Sequence, residues 1–331
     1  MMEALAQPDV TFIIAAYNSA ETIVPAIESA LAQEDISLEV IVVDDKSSDA
    51  TREIVGALSH RDPRVRLIAL EHNLGPGGAR NAGIDAANGR WIAVLDSDDA
   101  IEPKRTARMI ARAENANAVM AVDNLDVVYT DGRPKETMFP EALLETRRVL
   151  TLEDFIASNV LFRSTFNFGY MKPMFSRDFL NTHQLRFHPT LRIGEDYLLL
   201  ASALAVGGLC VIEPQPGYVY NIREGSISRV LELRHVEAMI AADEEFLAHY
   251  TLLPAAKDAQ NQRSRSLIEA RHFLMLVSSI KKRSVGGILK IALRDPVALR
   301  HLRMPIELRL RKLRESIFTS TIDRDVKRQA S

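Results

Sequence analysis

Trp91-Ile92-Ala93-Val94-Leu95-Asp96-Ser97-Asp98-Asp99 passes from five consecutive apolar residues into three carboxylates within four positions. An apolar run of that length, with no polar alternation, reads as a strand covered on both faces. Carboxylates crowded at its end repel one another, and hard oxygen ligands of this kind suit Mg²⁺ or Mn²⁺. An acidic first helical turn would leave the same pattern, because Asp stabilises the positive end of a helix.

Upstream, the chain alternates strand and helix signals. Val10 to Ala16 (VTFIIAA) is a strand, Val24 to Leu31 has helical apolar spacing, and Leu38 to Val43 (LEVIVV) is a strand ending at Asp44 and Asp45. Ser47 or Ser48 is expected to cap a helix running to about Leu58. Val65 to Leu70 is a third strand, and Gly75 to Asn88 reads as a glycine loop followed by a helix. Downstream of Asp99 a helix is expected near Pro103, a good first-turn residue. This order predicts an α/β fold with a parallel sheet covered by helices. Ligands in such sheets sit at the C-terminal strand ends. Those ends carry Tyr17 and Asn18, Asp44 and Asp45, His72 and Asn73, and Asp96 to Asp99.

Beyond Val119 the alternation loosens. Asp131 to Pro140 reads as a loop, Phe166 to Phe175 (FNFGYMKPMF) as strand-like, and Gly194 to Val206 as a helix opening with Glu195 and Asp196. Leu209 to Ile212 and Tyr218 to Asn221 read as two short strands. From Leu231 the pattern is helical, with breaks near Pro254, Gly286-Gly287, Pro296 and Pro305.

Composition narrows the class. The 331 residues are 47% hydrophobic and 26% charged, which excludes disordered, collagen-like and disulfide-scaffold chains. Cys210 is the one cysteine, so neither an intrachain disulfide nor a thiolate metal site is available. The N-terminal stretch lacks the features of a signal peptide, and no apolar run reaches the ~18 residues of a spanning helix. A cytoplasmic location is therefore expected. The net charge of −3 is unevenly spread: Lys281 to Ser331 hold 14 Lys and Arg against 5 Asp and Glu. An acidic body with a basic tail points to contact with an anionic surface, membrane or nucleic acid, unless the tail is merely a solvated helix.

The individual residues allow alternatives. Asp44 and Asp45 can accept from a ribose hydroxyl or a nucleobase N–H, or cap the next helix. Tyr17 can stack on a planar base, or belong to the rim of the core. Gly75-Pro76-Gly77-Gly78-Ala79-Arg80 can cradle phosphates. A dinucleotide site would place such a loop after the first strand, where AAYNSAET has no glycine, so a nicotinamide cofactor is disfavoured. Arg80 can bind a phosphate or pair with a surface acid. Glu195 or Asp196 is either a cap or a general base.

In this order AAYN (15–18), VVDDKSSDAT (42–51), NLGPGGARNAG (73–83), VLDSDD (94–99) and GED (194–196) resemble the family 2 inverting glycosyltransferases of GT-A fold. YVYNIREGSISR (218–229) is similar to a loop near the active site of many members. Lys46 stands where members commonly have glycine, a departure expected to matter little. The resemblance implies a catalytic domain over 1–228, with a nucleotide half (1–99) and an acceptor half (100–228), and a helical basic extension over 229–331. It implies that Tyr17 stacks on uracil, that Asp45 binds the base, and that Ala16, Asn18, Asp44, Gly78, Arg80, Asp96 and Ser97 line the nucleotide-sugar site. Asp98 and Asp99 are the implied metal residues, holding Mg²⁺ or Mn²⁺. Asp196 is the implied base, with Glu195 as the alternative. The chain as a whole resembles bacterial succinoglycan-type enzymes of exopolysaccharide synthesis. That resemblance implies glucose transfer from UDP-glucose to a saccharide acceptor, polyprenyl-diphosphate-linked, at the cytoplasmic face of the inner membrane. The basic region would contact the membrane and no nucleic acid would be bound. A nucleotidyltransferase and an inactive nucleotide-sugar-binding protein are the other classes, and the AAYN and GED features argue against both.

Overall fold

The parallel half of the sheet comes from the four strands nearest the N-terminus: β1 (Val10–Ala16), β2 (Leu38–Asp44), β3 (Val65–Ala69) and β4 (Trp91–Val94). They stand in the order β3-β2-β1-β4, all parallel. Every residue of β2 and β4 is buried, as their unbroken apolar character requires of strands covered on both faces. Ala16 pairs with Asp44, so β1 and β2 end level and release Tyr17 and Asp45 side by side. This computed structural model describes residues 7–222 and 231–296.

Helices α1 (Ile23–Leu31), α2 (Thr51–Arg61) and α3 (Gly75–Ala86) connect these strands. The expected cap on α2 is not made by Ser47 or Ser48. Ala50 stands at the cap with no side-chain bond; Asp49, one position earlier, accepts from Thr51 N at 3.0 Å, and the two serines bind Asn18. The expected glycine loop is helix from its first residue, since α3 starts at Gly75. The glycines let α3 lie close to the sheet: a Cβ on Gly83 would come within 2.5 Å of Ile13 Cγ2. Lys46 has φ +64°, the left-handed region in which glycine carries no steric penalty, which is the physical reason for a glycine there in relatives.

The rest of the sheet is mixed. In chain order come β5 (Ala100–Ile101), α4 (Arg105–Asn115), β6 (Met120–Tyr129), β7 (Glu136–Thr137), α5 (Glu141–Thr146) and α6 (Leu152–Ser158). A 3-10 turn at Phe168–Tyr170, β8 (Met174–Ser176), α7 (Arg177–Thr182), α8 (Glu195–Ala205) and β9 (Cys210–Ile222) follow. β8 is wedged antiparallel between β4 and β6, β9 runs parallel to β6, and β5 closes the edge antiparallel to β9. The run Phe166 to Phe175 is thus mostly a turn, with strand only at its end. The two short strands expected at 209–212 and 218–221 are one strand with a register shift, in which Asp123 faces Glu213 and Asn124 faces Pro216. Prolines are tolerated at such an irregularity because the ladder is already broken there. Asn124 repairs it by donating to Pro214 O and Phe139 O.

The chain ends, as described, in α9 (Leu233–His249), α10 (Pro254–Lys281) and α11 (Val285–Arg294). Pro254 opens α10 and Gly286-Gly287 lie in the first turn of α11. Pro305, residues 223–230 and the basic stretch after Pro296 lie outside the described residues. Polar contacts that bind α10 to the body include Arg263 Nη1 to Asn159 O (3.1 Å), Leu161 N to Ser266 Oγ (3.1 Å) and Arg163 Nη2 to Glu269 Oε1 (2.7 Å).

Beyond the parallel strands, Arg105 on α4 meets Asp123 on β6 through two bonds of 2.8 Å, Nε to Oδ2 and Nη2 to Oδ1. Their side chains are 2% and 0% exposed, and Arg105 Nη2 also reaches Lys172 O at 2.9 Å. Removing one partner of such a pair strands a buried charge. Arg105→Met is therefore expected to lower the unfolding free energy by about 3–5 kcal/mol in a urea titration. A loss below about 1 kcal/mol, the range of a surface pair, would show that Asp123 is solvated or neutral.

Candidate functional site

The four parallel strands end at a common rim. Tyr17, just past β1, is 52% exposed, so its ring face is offered to solvent rather than to the core. Asn18 adopts φ +52° and locks the corner: its N–H donates to Ser47 Oγ at 2.9 Å and its Oδ1 accepts from Ser48 N at 2.8 Å. Ser19 and Ser97 share a 2.9 Å hydroxyl contact that ties this corner to the acidic turn. Ala16 O accepts from Asp45 N at 2.8 Å.

The two carboxylates after β2 differ. Asp44 is 1% exposed; its Oδ2 accepts from Ser47 N at 3.3 Å, and its Oδ1 meets no donor. A buried carboxylate oxygen without a donor is costly, and a ligand hydroxyl or N–H placed there would satisfy it. Asp45 has both oxygens occupied, Oδ1 by Leu74 N (2.6 Å) and Oδ2 by Gly75 N (2.8 Å). It caps α3, the third helix, rather than α2. Burial pushes its carboxyl up, against the pull of those two N–H groups. Gly78 faces Leu74 within α3.

The acidic turn is held from two sides. Asp99 Oδ2 accepts from the Tyr218 hydroxyl and its Oδ1 from Asn221 N, both at 2.8 Å. Asn221 Nδ2 donates to Asp98 O at 2.9 Å. Burial, reinforced by the charges of Asp96 and Asp98, pushes Asp99 up to about 8. The turn thus carries more negative charge than it can comfortably ionise.

Its other face joins a closed ring of charges. Arg80 Nη2 reaches Asp96 Oδ1 at 2.7 Å, and Nη1 reaches Asp196 Oδ1 at 2.9 Å and Glu195 Oε1 at 2.8 Å. Lys172 Nζ lies 2.7 Å from Asp96 Oδ2 and 3.0 Å from Asp196 Oδ2. Two cations therefore bridge both oxygens of Asp96 to both oxygens of Asp196, residues 100 positions apart in sequence. Burial alone would raise the Asp96 carboxyl, but Lys172 and Arg80 hold it far below the usual range. The same acids keep both cations charged despite their burial. Burial, then the neighbouring Asp196, pushes Glu195 up. Gly194, with φ +90°, turns the chain so that Glu195 and Asp196 open α8 toward this ring.

The structure thus brings Asp96, Arg80, Glu195 and Asp196 into one cluster, with Tyr17, Asn18, Asp44 and Ser97 along the adjoining rim. Three participants were not singled out by sequence reasoning. Lys172 lies inside a run read as strand, and a lone lysine before proline carries no signal of partners so distant in sequence. Tyr218 and Asn221 lie in the YVYN stretch, which the sequence marks as a short strand leading into a loop, with no role for either side chain.

Among the described residues no group of three or more His, Cys, Asp and Glu side chains is placed to hold a metal by itself. That suits a magnesium-type ion, which takes one or two carboxylates and completes its shell with phosphate oxygens and water. Asp98 lies half-buried on the acidic turn, its backbone carbonyl held by Asn221 Nδ2. Asp99 instead has its two oxygens on Tyr218 and Asn221 and holds the turn.

Residues 11–179 match the family model described as Glycosyl transferase family 2. Succinoglycan biosynthesis protein ExoO of Rhizobium meliloti (strain 1021) is 65% identical over 306 residues, which are 92% of this chain and 87% of that protein. The crystal structure of S. aureus TarS 1-349 in complex with UDP shares the fold with a TM-score of 0.61 at 19% identity, over 86% of this chain and 91% of that one. The mannosyltransferase PcManGT of Pyrobaculum calidifontis, in complex with GDP-Man and Mn²⁺, gives 0.58 at 18% identity, over 89% and 81%. The order of motifs, the mixed sheet and these relatives agree: the chain belongs to glycosyltransferase family 2, with GT-A architecture, and is a glycosyltransferase.

Proposed function

We propose that this enzyme transfers glucose from UDP-glucose, with inversion, to a lipid-linked saccharide in succinoglycan-type exopolysaccharide synthesis. The observation that carries the reading is the convergence of the acidic turn and the opening of α8 on one cleft, through Asp96 and Asp196. An inverting displacement needs these two functions close together: one that stabilises the departing diphosphate, and one that takes the acceptor's proton.

Each residue then has a task. Tyr17 offers a face to uracil, and Asp44 an unsatisfied oxygen to the uridine. Asp45 holds the start of α3, so its contribution to nucleotide binding is positional. Asp98 would hold Mg²⁺ or Mn²⁺, which when bound supplies Lewis-acid stabilisation of the leaving group. Asp196 accepts the acceptor's hydroxyl proton while the hydroxyl oxygen bonds to the anomeric carbon. The electrons of the old bond leave with UDP. Asp196 is better suited to this than Glu195: its side chain is 21% exposed against 10%, while Glu195 sits behind it on Arg80.

α11 supports a peripheral membrane contact. Val285, Leu289 and Leu293, one turn apart on one face, are 69%, 56% and 83% exposed. Lys281, Lys282 and Arg283 precede them, and the basic tail follows. Among the described residues no helix is long and apolar enough to cross a membrane. Apolar side chains beside basic ones fit an anionic leaflet, where each Lys or Arg gains about 1 kcal/mol. These features support a reading in which the enzyme works at the cytoplasmic face of the inner membrane, beside a polyprenyl-diphosphate-linked acceptor.

Asp196→Asn is expected to lower kcat for glucose transfer by about 10²–10⁴-fold without weakening the donor, because a base acting only on the proton contributes nothing to the ground state. Near-normal turnover in a stably folded variant would remove Asp196 from the role, and a dead Glu195→Gln beside it would move the role back by one residue. Calorimetry reads the nucleotide. Tyr17→Ala is expected to weaken UDP by about 1–3 kcal/mol and leave inorganic diphosphate unaffected; Asp98→Asn is expected to abolish the gain that Mn²⁺ confers on UDP. Equal losses for UDP and diphosphate would make Tyr17 a packing residue. For the membrane, a Leu289→Glu, Leu293→Glu double variant is expected to lose most co-sedimentation with phosphatidylglycerol vesicles, and retained binding would reject α11 as the contact.

A further inference from the structure

The ring of charges contains a cation whose present position blocks the proposed base. Both oxygens of Asp196 are occupied, Oδ1 by Arg80 at 2.9 Å and Oδ2 by Lys172 at 3.0 Å. An acceptor hydroxyl needs one of them. The two cations are not equally able to leave. Arg80 projects from α3, is 7% exposed, carries a third carboxylate in Glu195 and lies over the Phe187 ring at 5.2 Å. Its planar fork is fixed by four simultaneous contacts. Lys172 has only Asp96 and Asp196 as ion-pair partners among the described residues. Its backbone is anchored, because Arg105 Nη2 holds its carbonyl at 2.9 Å, but its ammonium rides on a flexible four-carbon stem. Lys172 also sits at the diphosphate end of the cluster, 2.7 Å from Asp96 Oδ2 and so beside the turn that carries Asp98.

We propose that Lys172 is a donor-responsive cation: with the site empty it neutralises Asp196, and when a nucleoside diphosphate arrives it swings to the phosphate oxygens and uncovers Asp196 Oδ2 for the acceptor. The inference rests on the reading of Asp196 as the base and of a nucleoside diphosphate as the leaving group. Its consequence is that part of the donor's binding energy is spent breaking the Lys172–Asp196 contact. The enzyme then exposes its base only when a donor is present. Three acids face two cations, and burial pushes the Glu195 carboxyl up, so the ring stays close to neutral until the diphosphate, with its own negative charge, competes for the mobile member.

The test is a double-mutant cycle read by calorimetry with UDP, with uridine as the control, in metal-free buffer. If Lys172 must leave Asp196 to meet the diphosphate, Asp196→Asn releases it in advance. Asp196→Asn is then expected to bind UDP on the order of tenfold more tightly than wild type, and the same substitution in a Lys172→Gln background to change UDP affinity by less than about twofold. Uridine affinity should not change in either background. Equal gains in both backgrounds would mean that Asp196→Asn merely removes a repulsive charge, and no gain at all would mean that Lys172 is a fixed structural counter-ion; either result overturns the proposal. Lys172→Met provides a second background should the glutamine variant melt below the assay temperature. Turnover of Asp196→Asn bears on the base itself, and UDP affinity requires no turnover, so failure of the base assignment and failure of the Lys172 proposal give different signatures.

Discussion

Bringing like charges together out of water is the constraint around which this molecule is organised. Asp96, Asp196 and Glu195 converge from two distant segments, and Asp98 and Asp99 lie on the same turn. Carboxylates so placed ionise together only if cations are held among them. Arg80 and Lys172 supply those cations, and each is delivered by a different structural device. Arg80 comes from a glycine-rich helix that can press against β1. Lys172 comes from a short loop whose backbone is pinned by the buried Arg105–Asp123 pair. A buried ion pair between α4 and β6 therefore helps to set the position of an ammonium in the cleft. Asp99 marks where the supply of cations ends: with no cation of its own and two neighbouring acids, it is pushed up to about 8 and leans toward the neutral form.

The parallel half of the fold was legible because its signals are local. β1 was expected at Val10 to Ala16 and is found there, and unbroken β-branched runs have few alternatives once they alternate with helical spacing. Strand direction was not legible in the second half. β8 has three residues, and its placement between β4 and β6 depends on tertiary pairing that no local pattern encodes. β9 was read as two strands because Pro214, Pro216 and Gly217 interrupt it, yet Asn124 on the neighbouring strand satisfies the carbonyl exposed by the break. The capping error around Ser47 has a related cause. Both serines have a stronger use in fixing Asn18, whose left-handed backbone turns Tyr17 outward, and Asp49 is left to accept from Thr51 N.

The site was legible as a list of acids and as a family pattern, but not as a circuit. Asp96, Arg80 and Asp196 each carried a motif of their own. That Arg80 touches all three acids of the ring could not be read from any of them. Lys172 carried no motif, and its role exists only through distances. Asp45 carried a motif too, and its geometry adds a tie that the motif does not state: each carboxylate oxygen accepts one backbone N–H at the start of α3, from Leu74 and from Gly75.

The helices after residue 231 bear on the same circuit. Tyr197, the residue after Asp196, stacks against Phe155 at 5.2 Å and lies under the Arg263 guanidinium at 3.6 Å. Its hydroxyl reaches Gln260 at 3.3 Å, and both Gln260 and Arg263 donate to the buried Asp243 on α9. The start of α8 is consequently gripped from both sides: Asp196 by the charge ring in the cleft, Tyr197 by α9 and α10. Successive residues in a first helical turn point in different directions, so a side chain fixed on the far face limits how far its neighbour can drift in the cleft. A base that must accept a proton in line with a forming bond needs that restraint, since small misplacements are costly in rate. Through Tyr197 the C-terminal helices therefore form part of the wall against which Asp196 is set.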